Sequence, residues 1–149
     1  MRKRLLALLL LILLVFSEAA MVISQAGPYL DVDNPEDMPY KTKYTFKKVN
    51  VEKVIEGSKD GKVTVELNNI KLKTTRGRKV VVTVSLYYRS SNGKYWKCPK
   101  SCIKRVTVTG KEKNYKLTFK IPKGVVFYVR LTKNKHLKNT VTGSMRIRD

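Results

Sequence analysis

The segment at residues 79–89 constrains the fold most, because large apolar side chains recur there at every second position. They run from Val80 to Tyr88, and the intervening positions carry further strand-favouring residues such as Val81 and Thr83. Successive side chains of a β-strand point to opposite faces, so this pattern predicts a strand. Strand-favouring residues on both faces are typical of a central strand with a partner on each side.

Shorter segments with the same alternation follow one another along the chain. They are residues 44–51, 63–72, 103–109, 115–121, 125–131 and 141–147, with residues 94–97 returning from an Asn-Gly turn. About eight short strands at roughly ten-residue spacing predict an all-β domain, an antiparallel β-sandwich. Its topology is immunoglobulin-like or jelly-roll, and a small closed barrel is the alternative.

Two details of the alternation concern particular strands. Its phase changes at Lys47-Lys48 and again at Asn68-Asn69, which indicates a bulge or a strand that passes between sheets. In residues 115–121, apolar side chains alternate with lysine and threonine. That pattern predicts a strand with one buried face and one wet, cationic face.

Residues 1–26 have the layout of a secretory signal peptide. Three basic residues precede an apolar run at residues 5–16, and Ser24 and Ala26 provide the small side chains of a cleavage site. This predicts a signal helix before a secreted, extracellular protein. The alternative is an uncleaved membrane anchor at residues 5–23, although Glu18 falls inside that span. Either outcome leaves the rest of the chain outside the cell.

The remaining chain divides into an acidic arm at residues 27–42 and one basic domain at residues 43–149. From Lys41 onward there are 29 basic and six acidic residues. So large a charge of one sign attracts polyanions at long range. Outside a cell these are polyanionic glycans, teichoic acids or lipid headgroups; the alternative is that the charge only keeps the protein soluble.

Cys98 and Cys102 are the two cysteines of the chain. In an exported protein, two cysteines so close together most often form a disulfide, which here would fix a local turn. A redox or regulatory thiol pair is the alternative. A metal site is not expected, because His136 is the one histidine left to complete it.

No catalytic motif is present, and we expect neither catalytic residues nor a cofactor. The carboxylates that might form a glycosidase pair lie among lysines, where ion pairing is the simpler explanation. These carboxylates are Glu52, Glu56, Asp60, Glu66 and Glu112. His136 stands alone in a lysine-rich loop. The sequence therefore favours a binding protein over an enzyme.

The candidate ligand-binding residues lie in the hairpin around the Asn-Gly turn, where aromatic and cationic side chains alternate. They are Tyr87, Arg89, Lys94, Tyr95, Trp96 and Lys97. Exposed rings flanked by cations can stack on sugar or base rings while pairing with acidic groups, and they also suit a membrane interface. Tyr88 is assigned to the core by alternation.

The leading hypothesis is a secreted, non-enzymatic protein that binds an anionic cell-envelope or extracellular-matrix component through its Lys/Arg-rich surface. Two other functions remain open. One is a membrane-active toxin or antimicrobial protein, and the other is an adhesin or inhibitor module that binds a protein partner. Nucleic-acid binding has no base-reading motif to support it.

Overall fold

The computed structural model of the chain describes residues 30–73, 78–90, 92–134 and 138–149. Within them the chain is all-β, with nine strands, one 3-10 turn at Lys100–Cys102 and no α-helix. The strands are β1 (Tyr40–Phe46), β2 (Val49–Val51), β3 (Ile55–Glu56), β4 (Lys62–Lys73), β5 (Val80–Ser90), β6 (Ile103–Val108), β7 (Lys113–Lys120), β8 (Val125–Lys133) and β9 (Thr140–Arg148). The predicted signal helix at residues 1–26 and His136 lie outside the described residues.

The strands form two antiparallel sheets. The four-stranded sheet has the order β1-β9-β4-β7, and the five-stranded sheet has the order β2-β8-β5-β6 with β3 also paired to β8. The pairs are nested along the chain: β5 with β6, β4 with β7, β2 and β3 with β8, and β1 with β9. Two further pairs, β4 with β9 and β5 with β8, complete the sheets.

The inward side chains of both sheets belong to one hydrophobic cluster. In β5, every second residue from Val80 to Leu86 is at most 1% exposed, and Tyr88 packs against the cluster at its margin. The strand lies between β6 and β8. The prediction of a central strand with partners on both sides is therefore confirmed.

The predicted orientation of residues 115–121 is also confirmed. Phe119 and Ile121 are buried in the core, and Tyr115 and Leu117 are half-buried against it. The lysine and threonine side chains between them are exposed. Since β7 is at the edge of its sheet, the side chains nearer its start are less completely covered.

Both predicted phase changes correspond to breaks in strand pairing. Lys47 and Lys48 separate β1 from β2, which belong to different sheets. In β4 the register against β7 shifts between Leu67 and Ile70, and Asn69 has a positive φ of 52°. Asparagine tolerates this left-handed conformation better than most residues, so the bulge keeps Ile70 facing the core.

Two segments differ from the sequence prediction. Residues 94–97 form no second strand, since among them only Lys97 is paired, with Tyr88. Pro99 and the 3-10 turn follow directly, and proline has no N–H to donate to a strand ladder.

β1 begins at Tyr40, inside the segment predicted as an acidic arm. Glu36 of that segment bridges to Ile55 and forms a 2.6 Å ion pair with Lys53.

The predicted disulfide between Cys98 and Cys102 is not seen in this structure, where both residues are free thiols. The 3-10 turn directs the Cys102 side chain into the core, where its Sγ lies 3.8 Å from the Lys120 carbonyl oxygen. Cys98 stays half-buried at the margin. Burial raises the pKa of both thiols, which disfavours the thiolate form.

Tyr44 carries a buried hydroxyl group without a hydrogen-bond partner among the described residues. Its ring lies over Gly143, its direct neighbour on β9, and its side chain is 3% exposed. Leaving a buried polar group unpaired costs about 1 to 3 kcal/mol. We therefore expect Tyr44→Phe to raise the free energy of unfolding by about 1 kcal/mol, measured by urea denaturation.

The matched variant is Tyr40→Phe, because the Tyr40 hydroxyl donates a hydrogen bond to Glu52 at 3.1 Å and the loss of this bond should destabilise the protein.

Burial, followed by the charge of Glu52, raises the pKa of Tyr44 above its ordinary value. The contribution of the Tyr44 hydroxyl to the free energy of unfolding is complete below about pH 10, the ordinary pKa of tyrosine. It is lost as the pH rises from there through the raised pKa of Tyr44 in the folded protein. Tyr44→Phe should therefore lose less stability above pH 10 than the parent. A Tyr44→Phe protein less stable than the parent at neutral pH would contradict the assignment.

Candidate functional site

Four of the six predicted ligand residues line a groove beside the turn that follows β5. This hairpin groove has a volume of about 360 Å³. Its predicted residues are Arg89, Lys94, Tyr95 and Lys97, and it is completed by Tyr88, Ser90, Gly93, Pro122 and Val125. Three of the lining side chains are cationic and none is a carboxylate.

Backbone hydrogen bonds hold the two sides of the hairpin groove together. The Gly93 N–H donates to the Ser90 carbonyl at 2.9 Å and closes the turn. Tyr88 and Lys97 then exchange a reciprocal pair of bonds, at 3.0 Å and 2.9 Å. Directly paired residues of antiparallel segments share a face, so Lys97 lies on the Tyr88 side and Trp96 on the opposite, outer side of the sheet.

Tyr95 lies at the rim of the groove with 80% of its surface exposed. Among the residues that the structure describes, the other exposed large hydrophobic side chains are Val49 and Val81, at 42% and 37%. Tyr95 is thus the one strongly exposed ring in that part of the chain. A flat apolar ring in water next to cations provides a stacking surface.

Tyr87 and Trp96 lie outside the groove in an aromatic stack with Tyr128 on the outer face of the five-stranded sheet. Tyr87 and Tyr128 are direct cross-strand neighbours, with ring centroids 5.0 Å apart and planes 4° from parallel. Trp96 meets Tyr128 edge to face at 4.8 Å. The stack holds the returning segment against the sheet, because such aromatic pairs stabilise beyond the area they bury.

The aromatic stack also positions Arg89. Its guanidinium carbon lies 5.0 Å from the centroid of the Trp96 ring, in a cation–π contact. The Nε–H of Arg89 is buried and has no hydrogen-bond partner within the described residues. Arg89 is therefore held in place against the Trp96 ring.

Tyr128 and Arg130 are parts of this surface that the sequence analysis did not select. Burial raises the pKa of Tyr128, and the neighbouring Tyr87 adds to this effect while Arg130 opposes it. The alternation of β8 places both residues on the outer face. However, the contact of Tyr128 with the hairpin depends on β8 pairing with β5, which no local signal specifies.

A second cationic surface covers the outer face of the four-stranded sheet. We call it the cationic row, and it runs across the four strands as Lys41, Arg146, Glu66 and Lys116. Neighbouring strands are about 4.8 Å apart, so the row is roughly 14 Å wide. The side chains of Lys41, Lys116 and Arg146 are exposed.

Arg148 neutralises the single carboxylate of the cationic row. Its Nε and Nη2 donate to Glu66 Oε1 at 3.0 Å and 2.9 Å. The hydrogen bond from Arg148 is the largest cause of the lowered pKa of Glu66, and the charges of Arg146 and Lys116 also contribute. The surface therefore keeps a positive excess around an ionised Glu66.

A shallow depression adjoins this row on its β1 side. Its volume is about 500 Å³, and its lining includes Lys41, Lys43 and Arg146 together with Asn68 and Ser144. No carboxylate is part of the lining. An anionic group placed there would have three cations within reach.

The carboxylates proposed as ion-pair partners follow that prediction in part. Glu66 pairs with Arg148, and Glu112 pairs with Lys71 at 2.6 Å. Glu52 differs, because its buried carboxylate accepts hydrogen bonds from Tyr40 and Asn50. These contacts stabilise the fold and bring no second carboxylate to Glu52.

Searches for other kinds of site give negative results within the described ranges. No group of three or more His, Cys, Asp or Glu side chains there is arranged to hold a metal ion. The same ranges contain no helix that could span a membrane.

The chain matches no protein-family model, and comparison with curated proteins finds no match.

Proposed function

We propose that this chain is a secreted, non-enzymatic protein that binds an anionic cell-envelope or extracellular-matrix polymer through its Lys/Arg-rich surface. The cationic row carries the proposal. Three exposed cations there lie within roughly 14 Å on the outer face of one sheet, and their single carboxylate is already paired to Arg148. A polymer with repeated negative charges can contact several of these cations at once.

The distribution of charge favours a polymer over a small anion. Exposed single ion pairs are worth only about 0.2 to 1 kcal/mol, so useful affinity requires several of them together. The 29 basic residues beyond position 40 allow such multiple contacts. Long-range attraction of a polyanion also increases the rate of encounter, and added salt reduces that rate. Secretion is proposed from the composition of residues 1–26 alone.

We also infer that the two sheets face each other as a β-sandwich of jelly-roll type. The nested pairs and the shared core support this assignment, since a jelly roll is a long folded hairpin rolled into two sheets. The immunoglobulin alternative pairs its last two strands within one sheet. Here β8 and β9 belong to different sheets. Jelly rolls serve many functions, so the fold adds no ligand.

The proposal predicts that charge on the cationic row matters more than charge elsewhere. The test variant combines Lys41→Gln, Arg146→Gln and Lys116→Gln, and the control combines Lys79→Gln, Lys111→Gln and Lys123→Gln. All six side chains are exposed, so both variants lose the same charge. At about 0.1 M salt we expect the test variant to bind polygalacturonate about tenfold more weakly, with the control within about threefold of the parent.

Binding should be measured by calorimetry over a series of salt concentrations. Affinity for polygalacturonate that falls steeply with salt supports the proposal. Salt-independent binding, no binding, or equal losses in the two variants would contradict it. Leakage of dye from anionic liposomes at the same protein concentrations would instead favour the membrane-active alternative.

A further inference from the structure

The hairpin groove has the properties of a small-ligand site distinct from the cationic row. Its volume of about 360 Å³ lies at the lower end of the range of ligand pockets, about 300 to 1,000 Å³. It combines one exposed ring, Tyr95, with three cations and no carboxylate. The site therefore offers stacking and charge pairing at the same place.

We infer that the hairpin groove binds a single acidic sugar unit, such as a uronic acid, whose ring stacks on Tyr95 and whose carboxylate pairs with Lys94 and Lys97. This inference rests on the proposed function and names the ligand chemistry that one of its surfaces selects. The cationic row attracts the polymer, and the hairpin groove recognises the sugar.

Lys94 and Lys97 are the partners for the carboxylate. Both side chains are exposed and line the groove beside Tyr95, and the reciprocal backbone bonds between Tyr88 and Lys97 fix the returning segment that carries them. Arg89 is held against the Trp96 ring on the outer face, and its Nε–H is buried, out of a ligand's reach.

The geometry favours a sugar over nucleic acid or a membrane. Proteins that bind single-stranded nucleic acid stack successive bases on several aromatic side chains. In the described part of the chain, Tyr95 is the one strongly exposed ring. A lipid bilayer presents a flat surface and cannot enter a groove, whereas one sugar ring with a carboxylate fits both features.

The test compares three short probes by calorimetry with the full-length protein. Trigalacturonate has rings and carboxylates, cellotriose has rings without charge, and tripolyphosphate has charge without rings. The variants are Tyr95→Ala, Tyr95→Phe and Lys94→Gln, with Lys111→Gln as the control for loss of one exposed charge. Tyr95 and Lys94 are exposed, so the folded structure should tolerate these changes.

We expect Tyr95→Ala to weaken trigalacturonate binding about tenfold, the usual effect of losing one stacked ring, and Tyr95→Phe to retain it. Lys94→Gln should weaken it more than Lys111→Gln does. Tripolyphosphate binding should be unchanged by Tyr95→Ala. Cellotriose should bind far more weakly than trigalacturonate.

The outcomes separate this inference from the proposed function. Unchanged trigalacturonate affinity in Tyr95→Ala, or an equal loss for tripolyphosphate, would overturn the sugar site while leaving polyanion binding intact. If cellotriose bound as tightly as trigalacturonate, the inference that the site requires a sugar carboxylate would be overturned. If polygalacturonate and tripolyphosphate both fail to bind the parent protein, the proposed function itself fails.

Discussion

Gly57→Ala should destabilise the protein by about 3 kcal/mol or more, because the new methyl group has no space. A Cβ at position 57 would lie 1.7 Å from the Val125 carbonyl oxygen and 2.8 Å from its carbonyl carbon. Both are backbone atoms at the start of β8, and Gly57 directly follows β3, which pairs with β8. Relief of the clash therefore requires the two strands to separate.

The matched control is Gly124→Ala, one residue before Val125. At Gly124 no atom lies within 4 Å of the added Cβ, but its φ is +70°. The left-handed conformation alone costs roughly 1 to 2 kcal/mol. Urea denaturation of the two variants, monitored by Trp96 fluorescence, separates the steric clash at position 57 from the backbone strain at position 124. Equal losses of stability would show that Gly57 does not approach β8 as closely as the structure indicates.

Phe119→Ala is expected to cost about 3 to 5 kcal/mol, the usual loss for a buried phenylalanine. Its ring is 1% exposed and is among the largest fully buried side chains of the described residues. The Lys104 ammonium, on the same face of β6 as the buried Val106, lies 5.6 Å from the ring centroid and also loses its partner. Domains of this size are stable by only about 5 to 15 kcal/mol, so the variant should unfold at much lower urea concentration.

Thr118→Ala is the control on the same strand, because Thr118 is exposed on the outer face of β7. We expect it to change the free energy of unfolding by no more than about 0.5 kcal/mol. Thermal and urea unfolding of both proteins measure the difference. If Thr118→Ala were the more damaging change, the assignment of inner and outer faces in β7 would be reversed.

The faces of the strands could be predicted from sequence because alternation is a local property. Val80 to Leu86 and Phe119 face the core as their spacing requires, and the phase change at Asn69 coincides with a bulge. Strand partners could not be predicted in the same way. The β1–β9 pair joins segments from opposite ends of the domain, and no short-range pattern encodes that contact.

The same limit applies to the candidate site. Arg89, Lys94, Tyr95 and Lys97 were accessible to prediction, since a single turn brings them together. Tyr128 was not, because its contact with Tyr87 depends on the pairing of β5 with β8. The disulfide prediction was based on sequence spacing and compartment, and it did not account for the turn that buries Cys102 alone.

The nested strand pairing has a consequence for how the chain acquires its structure. β6 can pair with β5 once a short loop has closed. β1 can pair with β9 only when Tyr40 and Ile147, from opposite ends of the domain, come together. Proteins dominated by such distant contacts fold slowly, typically in milliseconds to seconds, since loop closure precedes the stabilising contacts. During that interval β9 lacks its outer neighbour, and Arg146 and Arg148 along it provide electrostatic repulsion that discourages self-association.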